Sequence, residues 1–379
     1  MIYEPQEDSF LLAEQVKHHA HGTVLDIGTG TGIQAINSGQ KNNVLSVLGV
    51  DKNLQAIQYC KKKIKNPKIH FAQSDLFSKV KKCFDTIIFN PPYLPDDGAP
   101  CDDALIGGPK GFEMIEKFLS QAANHLNPKG IILLLFSSRT NKQKVNTLIT
   151  KHLLLFEQIA QQHIFFEDIY VYKLTKSKLL DELNTGGVRA ICYFAKGKRS
   201  IVLKGIYKGK PVAIKTINPE SHAQNTLQKE ALWLEKLNLI SIGPRLILAG
   251  EHYLIMELLS GMRIQEWLHT AQRQAILHVL KKVLDQCIAL DRHKITKEEM
   301  HHPYKHIIIS QNKPVMIDFE RSHYSEFPKN VTQFCQYIAS IPAELQAKKI
   351  NITPTTIRAA AKKYSQDANK YKQILALFR

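Results

Sequence analysis

Four consecutive residues, Asn90, Pro91, Pro92 and Tyr93, follow the apolar run from Phe84 to Phe89 and carry the first chemical signal of the chain. Two prolines in a row cannot continue a hydrogen-bonded strand, so the strand must stop there. An asparagine oxygen and a prolyl carbonyl at such a strand end can accept both N–H bonds of a planar NH2 group and turn its lone pair outward. The prolines add no competing donor, and Tyr93 can cover the flat group by stacking. A nitrogen of this kind, in an amide or on adenine, is a poor nucleophile and far too weak an acid to lose its proton near neutral pH. Transfer to it must rest on placement and electrostatics.

A second set of residues lies upstream. Asp26, Gly28, Gly30 and Gly32 form the stretch DIGTGTG, with glycines at every second position and an acid ahead of them. Dinucleotide sites read G-x-G-x-x-G and set a helix dipole against pyrophosphate. An acid in that place suits a cationic ligand without phosphate. Asp51, ending the next apolar run, can hold ribose hydroxyls, and Asp75, ending the third, can meet an adenine amine. S-adenosylmethionine, with its sulfonium and ammonium, fits all three acids.

These residues need a scaffold that brings strand ends together, and the patterning supplies one. Apolar runs at 23–27, 44–51, 69–75, 84–90 and 130–137 alternate with helix-compatible segments at 33–38, 53–65 and 111–126. Strands alternating with helices imply a parallel sheet covered on both faces, whose ligands collect beyond the carboxyl ends of the strands. Length of 379 residues allows two or three domains. A net charge of +17 favours polyanionic neighbours such as ribosomes, tRNA or other nucleic acid, through a basic surface. The six cysteines stand singly, so no zinc ribbon or disulfide framework is signalled, and the apolar run 131–136 is too short to span a membrane. A cytoplasmic protein is expected. The histidine groups His18, His19, His21 and His301, His302, His306 match no metal spacing with acidic or Cys partners, so no protein metal site is expected.

The glycine loop with Asp51, Asp75 and Asn90-Pro91-Pro92-Tyr93 resembles class I S-adenosylmethionine-dependent methyltransferases of the HemK type, over about residues 1–176. The opening Tyr3 to Glu14 (YEPQEDSFLLAE) and the segment Leu105 to Gly111 (LIGGPKG) are similar to the archaeal and eukaryotic branch, and Phe166 to Leu174 reads as the closing strand. The resemblance implies methylation of the glutamine amide in the GGQ loop of a class 1 translation release factor, and a small zinc-binding activator subunit. Adenine N6 in DNA or RNA is the rival acceptor, because the four-residue motif serves both groups.

Residues 177–379 read as a second module. Ala195 to Gly205 and Lys210 to Ile217 form a strand pair carrying Lys215 in V-A-I-K, Gln228 to Leu237 is an amphipathic helix with Glu230, and Lys313 to Ser322 holds Asp318 in D-F-E. That order resembles a divergent RIO-like protein-kinase-like α+β domain with a helical tail, implying ATP and Mg2+ at Lys215, Glu230 and Asp318. Where H-x-D-x-x-x-x-N is expected, His301 stands at the base position and His306 at the asparagine position. Two readings follow: an ATP-binding regulatory module, or a divergent serine/threonine phosphotransferase using Glu298 or Glu299. The expected architecture is thus a Rossmann-like doubly wound domain (1–176) followed by a kinase-like domain (177–379).

Overall fold

The computed structural model describes residues 2–96, 105–165, 167–218, 221 and 226–378. The chain divides into two compact units, Met1–Tyr193 and Phe194–Arg379. In the first, α1 (Glu7–His19) opens with acids in its first turn and ends with Lys17, His18 and His19, a distribution that complements the helix dipole. Next come β1 (Gly22–Ile27), α2 (Ile33–Gly39), β2 (Val44–Asp51), α3 (Leu54–Lys63), β3 (Ile69–Gln73) and β4 (Phe84–Phe89). The unit continues with α4 (Glu113–Ala122), β5 (Leu126–Ser137), α5 (Lys142–Lys151), β6 (Leu154–Ile164) and β7 (Glu167–Lys176).

The seven strands lie in the order β3-β2-β1-β4-β5-β7-β6. The pairs from β3 to β5 are parallel, and β7 runs antiparallel to both of its neighbours. Strand order reverses between β1 and β4, the place where open α/β sheets form a ligand crevice. Val24, Leu25, Ile87, Ile88, Leu133 and Leu134 are buried on the central strands, so both sheet faces are covered, as a parallel sheet requires. β5 starts at Leu126 rather than near Gly130, because its register on β4 shifts between Phe84 and Thr86 and takes up the Pro128–Lys129 stretch. The helix read over 111–126 is shorter, ending at Ala122 before a 3-10 turn, Ala123–His125. Lys61, Lys62 and Lys63 fall in the last turn of α3, where lysines face the negative helix end. Phe166 and Cys101 lie outside the described residues; the five described cysteines are all free thiols.

After α6 (Lys178–Thr185) and β8 (Val188–Lys196), the second unit is built on β9 (Ser200–Tyr207), β10 (Lys210–Ile217), α7 (Thr226–Asn238), β11 (Leu246–Ala249) and β12 (Tyr253–Glu257). The sheet order is β8-β9-β10-β12-β11. β9 and β10 pair from Ser200↔Ile217 to Tyr207↔Lys210, leaving the two-residue turn Lys208-Gly209 with both φ angles positive, the geometry that matches strand twist. A helical part follows, led by the 20-residue α8 (Arg273–Arg292), with a hairpin of β13 (Ile307–Ser310) and β14 (Lys313–Met316) before Asp318. Its core gathers Trp267, Leu280, Leu284, Phe319, Phe334 and Tyr337. No helix among the described residues is long and apolar enough to cross a membrane.

Candidate active site

β1 and β4 are adjacent and parallel, and Ile27 is in register with Phe89. Gly28 and Asn90 therefore leave neighbouring strand ends side by side. They open onto a cavity of about 640 Å³ whose wall includes Asp26, Gly28, Gly30, Asp51, Asp75, Asn90, Pro91, Pro92 and Tyr93. Gly32 is not on that wall. It caps α2 at φ +86°, where a Cβ would sit 2.5 Å from Ile64 Cδ1, so its role in the structure is backbone shape and packing.

Asp51 holds the loop: its Oδ2 accepts from Gly30 N at 3.0 Å and its Oδ1 from Asn53 N at 2.8 Å. Each oxygen keeps a further lone pair for a hydroxyl. Asp75 accepts from Lys117 Nζ at 2.8 Å on a half-exposed surface. Asp26 is buried and accepts from Thr29 Oγ1 at 2.6 Å. Four aspartates, Asp8, Asp26, Asp51 and Asp75, and one lysine, Lys52, line the cavity. This donor set disfavours phosphate and suits a cationic ligand with hydroxyls, so these residues fit S-adenosylmethionine.

Burial pushes the Asp26 carboxyl up to about 7, assisted by Asp51 and opposed by the hydrogen bonds from Thr29 and the Ala35 amide. A raised carboxyl costs the unliganded fold stability above that pH, and the cost fades as pH falls toward the ordinary carboxylate range. A bound cation favours the ionised form, so S-adenosylmethionine affinity should rise by up to about tenfold per pH unit below the folded value and level off above it. Calorimetric titration at about pH 6 and about pH 8 checks this through proton release, and Asp26→Asn should flatten the profile. Equal pH dependence in the variant would exclude Asp26 as the source.

Asn90 is fixed by a residue that sequence reasoning did not single out. Asp8, 3% exposed in the first turn of α1, accepts from Asn90 Nδ2 at 2.8 Å through Oδ2. Its Oδ1 accepts from Ser9 N at 2.6 Å and from Tyr3 OH at 3.1 Å. The amide of Asn90 is thereby oriented with one of its two N–H bonds held by Asp8, and its Oδ1 is buried without a partner among the described residues. An unpartnered buried acceptor is costly unless a ligand completes it. The signal lay in the opening segment, where Asp8 stands among residues used only for the resemblance. Tyr93 is buried in the apolar cluster with Leu11 and Leu12, and its carbonyl accepts from Thr140 Oγ1 at 3.0 Å. The segment from Leu105 packs on the motif's backbone so closely that a Cβ on Gly107 would fall 2.5 Å from Pro92 O.

In the second unit, Lys215 on β10 reaches Glu230 Oε2 on α7 at 2.5 Å and Asp318 Oδ1 at 3.0 Å. Burial opposes its charge, but the two carboxylates outweigh that and hold the ammonium above its ordinary value. Glu230, Asp318 and Glu320 bring three carboxylate oxygens within 4.8 Å of one another, with Arg199 bound to Glu320 at 2.6 Å. His306 does not meet His301. Its Nε2 lies 2.8 Å from Glu299 Oε2, and its Nδ1 lies 3.9 Å from Asp318 Oδ2. Counting back five residues from His306 lands on His301, but the carboxylate in contact with His306 is that of Glu299. His301 has a ring contact with His302 at 4.5 Å. Glu298 is 3.8 Å from the exposed His323.

Residues 5–166 match the methyltransferase small domain family. A putative protein N5-glutamine methyltransferase of Methanocaldococcus jannaschii is 37% identical over 155 residues, covering 39% of this chain and 78% of the relative. The release factor glutamine methyltransferase of Lactococcus lactis is 33% identical over 136 residues, covering 33% of this chain and 50% of that protein, so the chain spans half the length of this bacterial relative. The E. cuniculi Mtq2-Trm112 complex, responsible for methylation of the eRF1 translation termination factor, aligns over 46% of this chain and 99% of that one at 25% identity and a TM-score of 0.39. The seven-stranded sheet with its antiparallel β7, the acid-lined cavity at the strand reversal and the match over residues 5–166 place the first unit together: the chain belongs to the HemK-like family of small-domain methyltransferases.

Proposed function

We propose that the first unit methylates the side-chain amide of a glutamine in the GGQ loop of a class 1 translation release factor. The observation that carries this reading is Asn90, whose amide nitrogen is held by Asp8 while its buried oxygen has no partner among the described residues. S-adenosylmethionine, when bound, supplies an electrophilic methyl on a positively charged sulfur. The chain's part is to hold the acceptor: Asn90 Oδ1 and the Pro91 carbonyl take its two N–H bonds, and Tyr93 closes on its flat face. The nitrogen–carbon bond forms as the carbon–sulfur bond breaks, and the nitrogen then sheds a proton to water. Glutamine ahead of adenine is supported by the 37% identity to a putative protein N5-glutamine methyltransferase. A small zinc-binding activator belongs to the same reading. The net charge of +17 supports a ribosomal or nucleic-acid neighbour and equally suits the rival nucleic-acid substrate.

Methyl-labelled cofactor offered to a release factor, DNA and RNA, with and without the activator, tests the proposal. Label should enter the glutamine of the factor. Label confined to nucleic acid would replace this reading with adenine N6-methylation.

For residues 177–379 we infer a kinase-like module that binds ATP with Mg2+. The supporting observation is Lys215 held between Glu230 and Asp318, which places an ammonium for phosphate beside a carboxylate for the metal.

A further inference from the structure

The motif reading of the second unit leaves Glu298 and Glu299 as alternatives for taking a proton from a phosphoryl acceptor. The side chains around Asp318 separate them: Glu299 is held beside His306, whereas Glu298 lies 3.8 Å from the exposed His323. Among the described residues, Glu299 (φ +69°) and Asp318 (φ +67°) are the two acids with left-handed backbone. Such a conformation is strained in a non-glycine residue and persists where surroundings over-determine it.

Those surroundings are specific. Lys297, 1% exposed, donates from Nζ to the Asp318 carbonyl at 2.7 Å, and its backbone N–H donates to Asn330 Oδ1 at 2.8 Å. Asn330 is itself fully buried and donates to Asp291 and to the Ile295 carbonyl. The chain is thus anchored directly beneath Asp318, and two residues further on Glu299 emerges. Arg321 donates to Glu299 Oε1 at 2.7 Å, and His306 Nε2 meets Oε2 at 2.8 Å. Each oxygen of the carboxylate is oriented by one partner and retains a lone pair. A single imidazole separates it from Asp318. Glu299 is 40% exposed, whereas Glu230 at the other end of the charge series is 2% exposed. An acceptor arriving from solvent can reach the first and not the second.

We propose that Glu299 is the catalytic carboxylate of a phosphoryl-transfer site in this unit, an inference that rests on its binding ATP. A hydroxyl oxygen attacks the γ-phosphorus of ATP, the bond from that phosphorus to the β,γ-bridging oxygen breaks, and ADP leaves with the electron pair. Glu299 accepts the hydroxyl proton and passes it to water. Placing the carboxylate by His306 and Arg321 orients the acceptor, which in phosphoryl transfer carries much of the rate.

The test uses the full chain with Mg-ATP labelled at the γ-phosphate, reading both a thermal shift and the label released to water or transferred to the protein's own hydroxyls. Wild type should shift and turn over. Glu299→Gln should keep the shift and lose turnover by about 10²–10⁴-fold, while His301→Ala keeps both. A wild type that shifts without turnover, or a Glu299→Gln variant as fast as wild type, overturns the assignment of Glu299 and leaves ATP binding standing. A wild type without a shift overturns the ATP reading itself.

Discussion

Asn90→Ala should lower kcat for methyl transfer by about 10²–10³-fold while the dissociation constant for S-adenosylmethionine changes little. The factor is that of removing one preorganised polar contact to a reacting group, about 2.7–4 kcal/mol of transition-state stabilisation. The split between kcat and cofactor affinity follows from the geometry. Asp51 and Asp26 hold the glycine loop, whereas Asn90 is tied only to Asp8 among the described side chains. Asp8→Ala should reproduce part of the loss, because the freed amide can turn its donor toward an NH2 group that itself only donates. Single-turnover methyl transfer beside equilibrium cofactor titration measures both quantities. An Asn90→Ala enzyme at wild-type rate would remove the amide from the mechanism.

The second large effect is on stability. Lys215→Met should destabilise the second unit by about 3–5 kcal/mol, because it strips the counter-charge from Glu230, which is 2% exposed and has no water to turn to. Asp318, more open, suffers less. Adding Glu230→Leu should return much of the loss, since an apolar pair of similar volume can replace a buried ion pair at little cost. Thermal or denaturant unfolding followed by a probe in the second unit resolves the two variants. A single mutant that melts with wild type would show that Glu230 discharges instead of unfolding its surroundings.

The strands that carry the site were legible because each combines an apolar run with an abrupt polar stop: Ile27 before Gly28, Val50 before Asp51, Phe89 before Asn90. β6 was not. Its residues are mostly exposed on the sheet edge, so no alternation of apolar and polar types marks it, and Leu155 at 55% exposure has the wrong face for a pattern argument. α1 was also passed over, and Asp8 with it, because contact with Asn90 joins residues 82 positions apart. Local spacing carries no such information. The sequence left Glu298 and Glu299 as alternatives because spacing does not report which of two adjacent side chains meets His306, a contact that Glu299 makes. Lys215, Glu230 and Asp318 were found together because each lies on a regular element or directly after one, where spacing and direction are constrained.

The register of Ile27 against Phe89 acts as a length standard. Displacing β4 along β1 by one residue would move Asn90 about 3.3 Å against the glycine loop and send Ile87 and Ile88 to opposite sheet faces. Productive alignment of reacting atoms tolerates about 0.5 Å. The fully buried Val24, Leu25, Ile87 and Ile88 of these two strands, none of them on the cavity wall, therefore set the gauge between donor and acceptor, and substitutions there that leave the fold intact can still appear as lost turnover.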